Sequence, residues 1–328
     1  MKFGELPTRD AAGAILAHSI ALPGGRLRKG HVLKPADIAA LVSVGHESVI
    51  AARLEAADLG EDVAAARLAS ALAGEGLRLT KAATGRVNLL AEAPGIARID
   101  AAKVNAFNAV NPMITVATLP PSHRVDAGTM VATVKIISYG VPGSDVEKAA
   151  AAGQDALQAI APTIRTATLI ETRTGEDPSA KGRAALRGRL DRLDVTLDGR
   201  VIVDHRAVPL AEAIKTAKGQ VVFVLTASAT SDPDDVGPAA VRAAGGVVTQ
   251  FGMPVDPGNL LFLGQIGGKP VIGLPGCARS PALNGADWVM ERVLCGIDLT
   301  PDDFAQMGVG GLLKEIPTRP KPRGDIED

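Results

Sequence analysis

Residues 251–294 read FGMPVDPGNLLFLGQIGGKPVIGLPGCARSPALNGADWVMERVL. They divide into a Pro/Gly turn, two short apolar runs joined by Gly-Gly-Lys-Pro, a Gly-rich loop and a helical segment. Because Ser280 is a good N-cap residue and Pro281 suits the first helical position, we expect residues 273–279 to run straight into a helix N-terminus. Such a terminus favours a bound anion, for example a phosphate. A tight strand-to-helix turn without a ligand is the alternative interpretation.

The sequence before this stretch alternates between strand-like and helix-like segments. Residues 221–225, VVFVL, are continuously apolar, which is typical of a strand buried on both faces of a parallel sheet. Further strands are predicted over 166–171 and 194–197, and helices over 180–190, 210–217 and 236–244. We therefore predict a doubly wound, mostly parallel α/β domain over residues 163–297. In such folds ligands bind at the carboxyl ends of the strands.

Three polar or Gly-rich loops follow predicted strands and should meet at that edge. The loop after residue 171 carries Thr172 and Thr174, whose hydroxyls can bind a polar ring or a phosphate. The loop over 226–235 ends in Asp232, Asp234 and Asp235, which suit either a helix N-terminus or a Mg²⁺ ion that binds a phosphate ligand. The third loop is the Gly-rich segment after residue 273.

Two residue types give weaker signals. Cys277 lies in the Gly-rich loop, where a thiol pKa can fall, but no general base is close in sequence; Cys295 is expected in the core. The five histidines are scattered and form no ligand motif, so we interpret them as surface or capping residues.

The first half of the chain, residues 1–162, is predicted to be a mixed α+β region. Short strands alternate with a helix that starts at Pro35, a helix over 61–73 whose inward residues are Val63, Leu68 and Leu72, and a helix capped by Asp100. Residues 143–161 are Ala-rich and predict a linker helix. Residues 298–328 are predicted to be a C-terminal tail.

The overall composition excludes several function classes. The 328 residues are 46% hydrophobic and 22% charged, with a formal net charge of −1 and 2% aromatics, so neither a polyanion-attracting field nor a base-stacking surface is expected. Two cysteines make no disulfide framework. With no signal peptide and no long apolar segment, we expect a cytoplasmic protein that binds neither nucleic acid nor membrane.

Several of these motifs together resemble one protein family. TASATSDPDDVGP over 226–238 resembles the Thr-Gly-Gly … Asp-Val-Thr-Pro signature of the molybdopterin-binding fold, which molybdopterin adenylyltransferases and molybdopterin molybdenumtransferases share. Residues 273–276, GLPG, match the Leu-Pro-Gly loop of that fold, and residues 256–258, DPG, resemble its Lys-Pro-Gly turn. FGMPVDPGNLL and GLPGCARSPALNG are similar to a bacterial subfamily associated with molybdenum cofactor cytidylyltransferases. The resemblance extends over nearly the whole chain.

The resemblance implies a ligand and a set of site residues. The ligand is molybdopterin or its adenylylated form, and Asp235 would be the catalytic residue and, with Asp232, the Mg²⁺ ligand. The implied binding residues lie in the three loops and in the turn at 256–258. They are Thr172, Thr174, Thr226, Ala227, Ser228, Asp256, Pro257, Gly258, Pro275, Gly276, Cys277, Arg279 and Ser280. Ala227-Ser228 replaces the family's Gly-Gly, and Cys277 replaces its usual Asn. The segment over 298–328 is expected to be too short for the C-terminal β-domain of the molybdenumtransferases.

Three functions remain open on this basis. One is the insertion of molybdate into adenylylated molybdopterin with release of AMP. The second is a non-catalytic module that holds the pterin for a cytidylyltransferase or for the maturation of a molybdenum hydroxylase. The third, which the length of the match disfavours, is a protein of similar fold that binds a nucleotide sugar or another phosphate ligand. Related proteins often oligomerise, so a homo-oligomer is a further expectation.

Overall fold

The computed structural model describes residues 1–256 and 258–313, and its contacts divide the chain into two compact units. The first comprises residues 1–93 and 97–160, and the second comprises 94–96 and the chain from 161 onward. Within the described ranges, no helix has both the length and the apolar composition needed to cross a membrane.

The first 160 residues form small sheets flanked by helices. The helices are α1 (Pro35–Ser43), α2 (Glu61–Leu72), α3 (Ala101–Asn108) and α4 (Gly143–Ala152). The strands are β1 (Lys2–Pro7), β2 (Ile15–Leu16), β3 (Ile20–Leu22), β4 (Gly25–Leu27), β5 (Ser48–Arg53), β6 (Asp58–Gly60), β7 (Leu77–Leu79), β8 (Arg86–Ala91), β9 (Gly95–Ile99), β10 (Ile114–Thr118), β11 (Arg124–Val125), β12 (Met130–Ile136), β13 (Gly140–Pro142) and β14 (Leu157–Ile160).

The main core of this half lies between α2 and an antiparallel sheet of order β10-β12-β8-β7. Leu68 and Leu72 are buried there as expected, but the prediction for Val63 is wrong, because its side chain is 60% exposed. The linker helix predicted over 143–161 is found only as far as Ala152, as α4. Its C-cap is Gly153, where a Cβ would lie within 3 Å of Leu72 and Phe107, and the chain beyond it becomes extended to form β14.

The rest of the described chain is built on a six-stranded sheet. Its strands are β15 (Thr166–Arg173), β16 (Thr196–Asp204), β17 (Val221–Leu225), β18 (Val247–Met253), β19 (Asn259–Ile266) and β20 (Lys269–Gly273). Its helices are α5 (Ala180–Asp191), α6 (Ala207–Thr216), α7 (Val236–Ala243), α8 (Gly285–Leu294) and α9 (Pro301–Gln306), with a 3-10 helix at Gly276–Arg279. Helix α9 falls in the expected tail, whose residues 314–328 lie outside the described residues.

This sheet is mostly parallel and covered on both faces, as predicted. Its strand order is β16-β15-β17-β20-β19-β18; the first four strands are mutually parallel, and β19 is antiparallel to its two neighbours. Because strand side chains alternate between faces, Leu169 packs in the core with α5 and α8, whereas Ile170 packs with α6 and α7. All five residues of β17 are buried, which explains its continuous apolar sequence.

Helix α8 begins later than predicted. Its N-cap is Asn284, whose side chain accepts from the Ala286 backbone N–H (2.9 Å), while Asp287 accepts from the Asn284 backbone N–H (2.9 Å). Ser280 instead ends the 3-10 helix in an extended conformation. The Gly-rich loop therefore leads into a 3-10 turn and an extended segment rather than directly into α8.

Candidate functional site

The predicted binding loops lie at one edge of the six-stranded sheet. Strands β15, β17 and β20 are adjacent and parallel, so the segments that follow Arg173, Leu225 and Gly273 leave the sheet on the same side. The turn between β18 and β19 lies at this edge too, because Met253 pairs with Asn259 beside it. We call this side the carboxyl edge.

The strand order places a topological switch point at this edge. From β15 the chain crosses through α5 to β16 on one side, then returns through α6 to β17 on the other side of β15. The two connecting helices pack on opposite faces of the sheet. The loops therefore diverge between β15 and β17, and doubly wound sheets bind ligands in such a crevice.

A cavity of about 210 Å³ opens between the β17 and β20 loops. It brings together six of the predicted binding residues: Thr226, Ala227, Ser228, Pro275, Gly276 and Arg279. A shallower groove of about 670 Å³ continues past the 3-10 helix to α5, and its lining includes Lys181 and four predicted residues, Gly276, Cys277, Arg279 and Ser280.

Arg279 joins the two loops. Its Nη2 donates to the Thr226 backbone carbonyl (2.6 Å), which ties the 3-10 helix to the end of β17. Its Nε and Nη1 make no hydrogen bond with other residues of 1–256 or 258–313, and the side chain is half-buried. A guanidinium held in this way presents N–H donors and a positive charge to an anion in the cavity.

The structure places the two predicted threonines differently. Thr172 is the penultimate residue of β15 and is buried; its Oγ1 accepts from the Ala227 backbone N–H (2.7 Å) and lies 2.9 Å from His205 Nδ1. Thr174 lies beyond the strand and is exposed. The Thr172 hydroxyl therefore ties the crevice together, whereas Thr174 faces solvent.

The acidic loop forms a helix cap. Asp235 is the N-cap of α7: its Oδ1 accepts from the Val236 N–H (2.7 Å) and its Oδ2 from the Ser231 N–H (3.0 Å). Asp232 accepts from the Asp234 N–H (2.7 Å). In the part of the chain that the structure describes, no three acidic, His or Cys side chains are grouped to hold a metal. Each Asp235 oxygen accepts one backbone N–H and keeps a further lone pair, but neither Asp232 nor Asp235 lines the cavity, so the loop does not fit a preformed Mg²⁺ site there.

The remaining predicted turn supports α8. Asp256 has a left-handed backbone (φ 64°), and its Oδ2 accepts weakly from the Gly285 N–H (3.3 Å). Gly258 also has a positive φ, of 72°, which glycine adopts without strain. Pro257 lies outside the described residues.

Sequence reasoning missed a buried arginine that shapes the loop after β20. Arg189 on α5 pairs with Asp287 on α8 (Nε–Oδ1 2.8 Å) and donates to the carbonyls of Ala278, Ser280 and Ala282. Because these carbonyls are already hydrogen-bonded to the guanidinium, residues 280–283 stay out of the helix. In the sequence, Arg189 lies at helical spacing from Ala185, Leu186 and Leu190, and this spacing could have indicated that Arg189 is on the buried face of α5.

A second pair of charges was also missed. Glu171, fully buried one residue before Thr172, accepts from Arg200 of β16 (Nε–Oε2 2.6 Å). Long-range pairing of this kind has no local sequence signature. Cys295 is buried in the core, as expected, and burial raises the pKa of its thiol to about 12.

The match to known protein families covers part of the first unit and does not include the carboxyl edge. A family model described as "Domain of unknown function (DUF8806)" matches residues 5–53, which lie in the first unit. No curated protein matches the chain.

Proposed function

We propose that the carboxyl edge of the six-stranded sheet binds molybdopterin or its adenylylated form, and that the protein acts in molybdenum cofactor biosynthesis. The observation that carries the proposal is the cavity between the β17 and β20 loops, which lies beside the switch point between β15 and β17. The motif resemblance of residues 226–238 and 273–276 supplies the ligand. The identity of the fold as a molybdopterin-binding fold and the identity of the ligand are both part of this proposal.

The ligand phosphate lies against Arg279 in this proposal. The 226–230 segment and the turn after Pro275 provide the cavity walls, and Ala227, Ser228 and Gly276 are exposed there. The free Nε and Nη1 of Arg279 supply charge-assisted hydrogen bonds, which are stronger than neutral ones. The ligand's dithiolene end then extends toward the groove lined by Lys181 and Cys277.

The geometry favours the non-catalytic form of this function. Asp235, the residue expected to take part in molybdate insertion, caps α7 through Oδ1 and accepts the Ser231 N–H of the preceding loop through Oδ2. A binding module that presents the pterin to a cytidylyltransferase, or to a molybdenum hydroxylase undergoing maturation, needs no free carboxylate. The enzymatic form, with Mg²⁺ and Asp235, is the second candidate.

One experiment separates the two forms. Wild-type protein and Asp235→Ala are each given adenylylated molybdopterin, Mg²⁺ and molybdate under anaerobic conditions, and bound pterin and released AMP are measured. We expect tight pterin binding by both proteins and no AMP above the protein-free control. AMP release that disappears in Asp235→Ala would establish the enzyme, and absence of binding would refute the proposed function altogether.

The partner is part of the same proposal. Pull-down of the purified cytidylyltransferase encoded nearest to this gene, with and without molybdopterin, tests it; we expect ligand-dependent capture. The mass of the protein in solution, measured by light scattering, tests the expected homo-oligomer.

A further inference from the structure

We propose that His205 is a specificity residue of this site, whose Nε2–H donates to an acceptor atom of the pterin ring. This inference rests on the proposed function and deepens it. His205 immediately follows β16, and its backbone N–H donates to the Arg173 carbonyl (2.8 Å) at the end of β15. The imidazole thus belongs to the carboxyl edge, two strands from the cavity wall at Ala227.

The hydrogen bonds of Thr172 determine the imidazole tautomer. Ala227 donates its N–H to Thr172 Oγ1, and the buried hydroxyl proton must find an acceptor of its own. The acceptor within reach is His205 Nδ1, at 2.9 Å. We therefore assign a chain in which Ala227 N–H donates to Thr172 and Thr172 donates to Nδ1, which leaves neutral His205 protonated at Nε2.

The other ring nitrogen is available to a ligand. Nε2 makes no hydrogen bond within residues 1–256 and 258–313, and the ring is only half-buried. Its orientation is fixed at both ends, by the backbone bond to Arg173 and by Thr172. A pre-oriented N–H donor selects an acceptor on the ligand.

The position of His205 suits a part of the ligand other than its phosphate. Thr172 Oγ1 lies 2.7 Å from the Ala227 nitrogen and 2.9 Å from His205 Nδ1, so the imidazole is one side chain away from the cavity wall at Ala227. Arg279 contacts the same wall at Thr226 and lies on its β20 side. With the phosphate on Arg279, the ring's carbonyl oxygen or a ring nitrogen comes to Nε2 past Ala227.

Two variants test the roles of the two ring nitrogens of His205 separately. The amide of His205→Asn places a polar atom near Nδ1, and that of His205→Gln places one near Nε2. We expect roughly 10- to 100-fold weaker molybdopterin binding for the Asn variant and a much smaller loss for the Gln variant, measured by anaerobic calorimetry. Inorganic pyrophosphate, a probe of the phosphate subsite alone, should bind both variants like the wild type. His123→Ala, an exposed histidine of the first unit, is the control.

The outcomes are distinguishable from failure of the proposed function. If wild-type protein does not bind molybdopterin, the proposed function fails and this inference fails with it. If the wild type binds but His205→Asn binds equally well, or if Gln is as weak as Asn, then Nε2 makes no such contact. A parallel loss of pyrophosphate affinity would assign His205 to the phosphate and overturn the ring assignment. Heteronuclear NMR of ¹⁵N-histidine protein checks the tautomer independently, and Nδ1-protonated His205 would contradict it.

Discussion

At the residue scale, Asp235 shows how one side chain serves two interpretations of the same sequence. Three carboxylates after a strand can surround a cation or begin a helix, and sequence alone left both open. The structure assigns Asp235 to the cap of α7, with both oxygens accepting backbone N–H bonds. Asp234 next to it is 89% exposed and pairs with Arg242 (2.6 Å). Removing the Asp235 carboxylate should therefore lower the free energy of unfolding more than removing the Asp234 carboxylate.

We predict that Asp235→Ala lowers the free energy of unfolding by about 1 kcal/mol, the usual cost of losing an N-cap. Asp234→Ala is the matched control, and its surface ion pair contributes about 0–1 kcal/mol. Urea denaturation of both variants measures the difference. Equal stability of Asp235→Ala and wild type would show that the carboxylate is not committed to the cap, and would revive the Mg²⁺ interpretation.

The two cysteines differ in the exposure of their thiols. The Cys277 thiol is half-buried in the groove, whereas Cys295 is 3% exposed and burial raises its pKa to about 12. Because the thiolate is the nucleophile, we predict that a thiol reagent at pH 8 modifies one cysteine, Cys277, in the folded protein and both in urea. Mass spectrometry of the digested protein identifies the site. Rapid labelling of Cys295 in the folded protein would contradict its place in the core.

The same pKa shift gives a direction for stability. A thiol pKa raised above its unfolded value, 9.0, means that the folded state holds the proton more tightly. The contribution of Cys295 is therefore complete below pH 9 and is lost as pH rises toward 12. Cys295→Ala should remove this part of the alkaline decline, as measured by urea denaturation across that range. An unchanged decline in Cys295→Ala would exclude the thiol as its source.

At the scale of elements, the helices and strands of the second half were predictable because their periodicities are local. Residues 221–225 could be assigned to a buried strand from five apolar residues in succession. The start of α8 could not be, because Ser280 and Pro281 form a good local helix signal. The guanidinium of Arg189, which lies 91 positions before Ser280 in the chain, donates hydrogen bonds to the carbonyls that a helix starting at Ser280 would use. Likewise, Val63 fits an apolar helix face by spacing, but the neighbouring elements leave it exposed.

Arg189→Met tests this explanation. Asp287 is 2% exposed, and without Arg189 it retains only the longer ion pair with Arg192 (3.5 Å), so we predict a loss of about 3 kcal/mol in unfolding free energy. Arg187→Met, an exposed arginine on the same helix, should change stability by no more than about 0.5 kcal/mol. Denaturant titration compares the two. A loss for Arg189→Met no larger than that for Arg187→Met would mean that Arg189 does not hold the loop after β20.

At the scale of the whole molecule, the family match and the candidate site fall in different units. The family model matches only residues 5–53, so it describes part of the first unit, where β1 and β5 pair. The candidate site lies entirely in the second unit. Its loops could be predicted to converge because carboxyl ends of parallel strands share an edge. The partners that complete them, Arg189, Glu171 and His205, come from distant positions and have no local signal.

The most direct test of the central claim is an anaerobic titration with molybdopterin of three full-length proteins: wild type, Arg279→Met and Gln265→Ala. Arg279 lines the carboxyl-edge cavity, whereas Gln265 pairs with Val247 and Pro270 at the opposite edge of the sheet. Calorimetry measures the binding. We predict saturable binding by wild type and Gln265→Ala, and roughly 10- to 100-fold weaker binding by Arg279→Met. Equal binding by all three proteins, or binding that Gln265→Ala alone weakens, would contradict a molybdopterin site at the carboxyl edge.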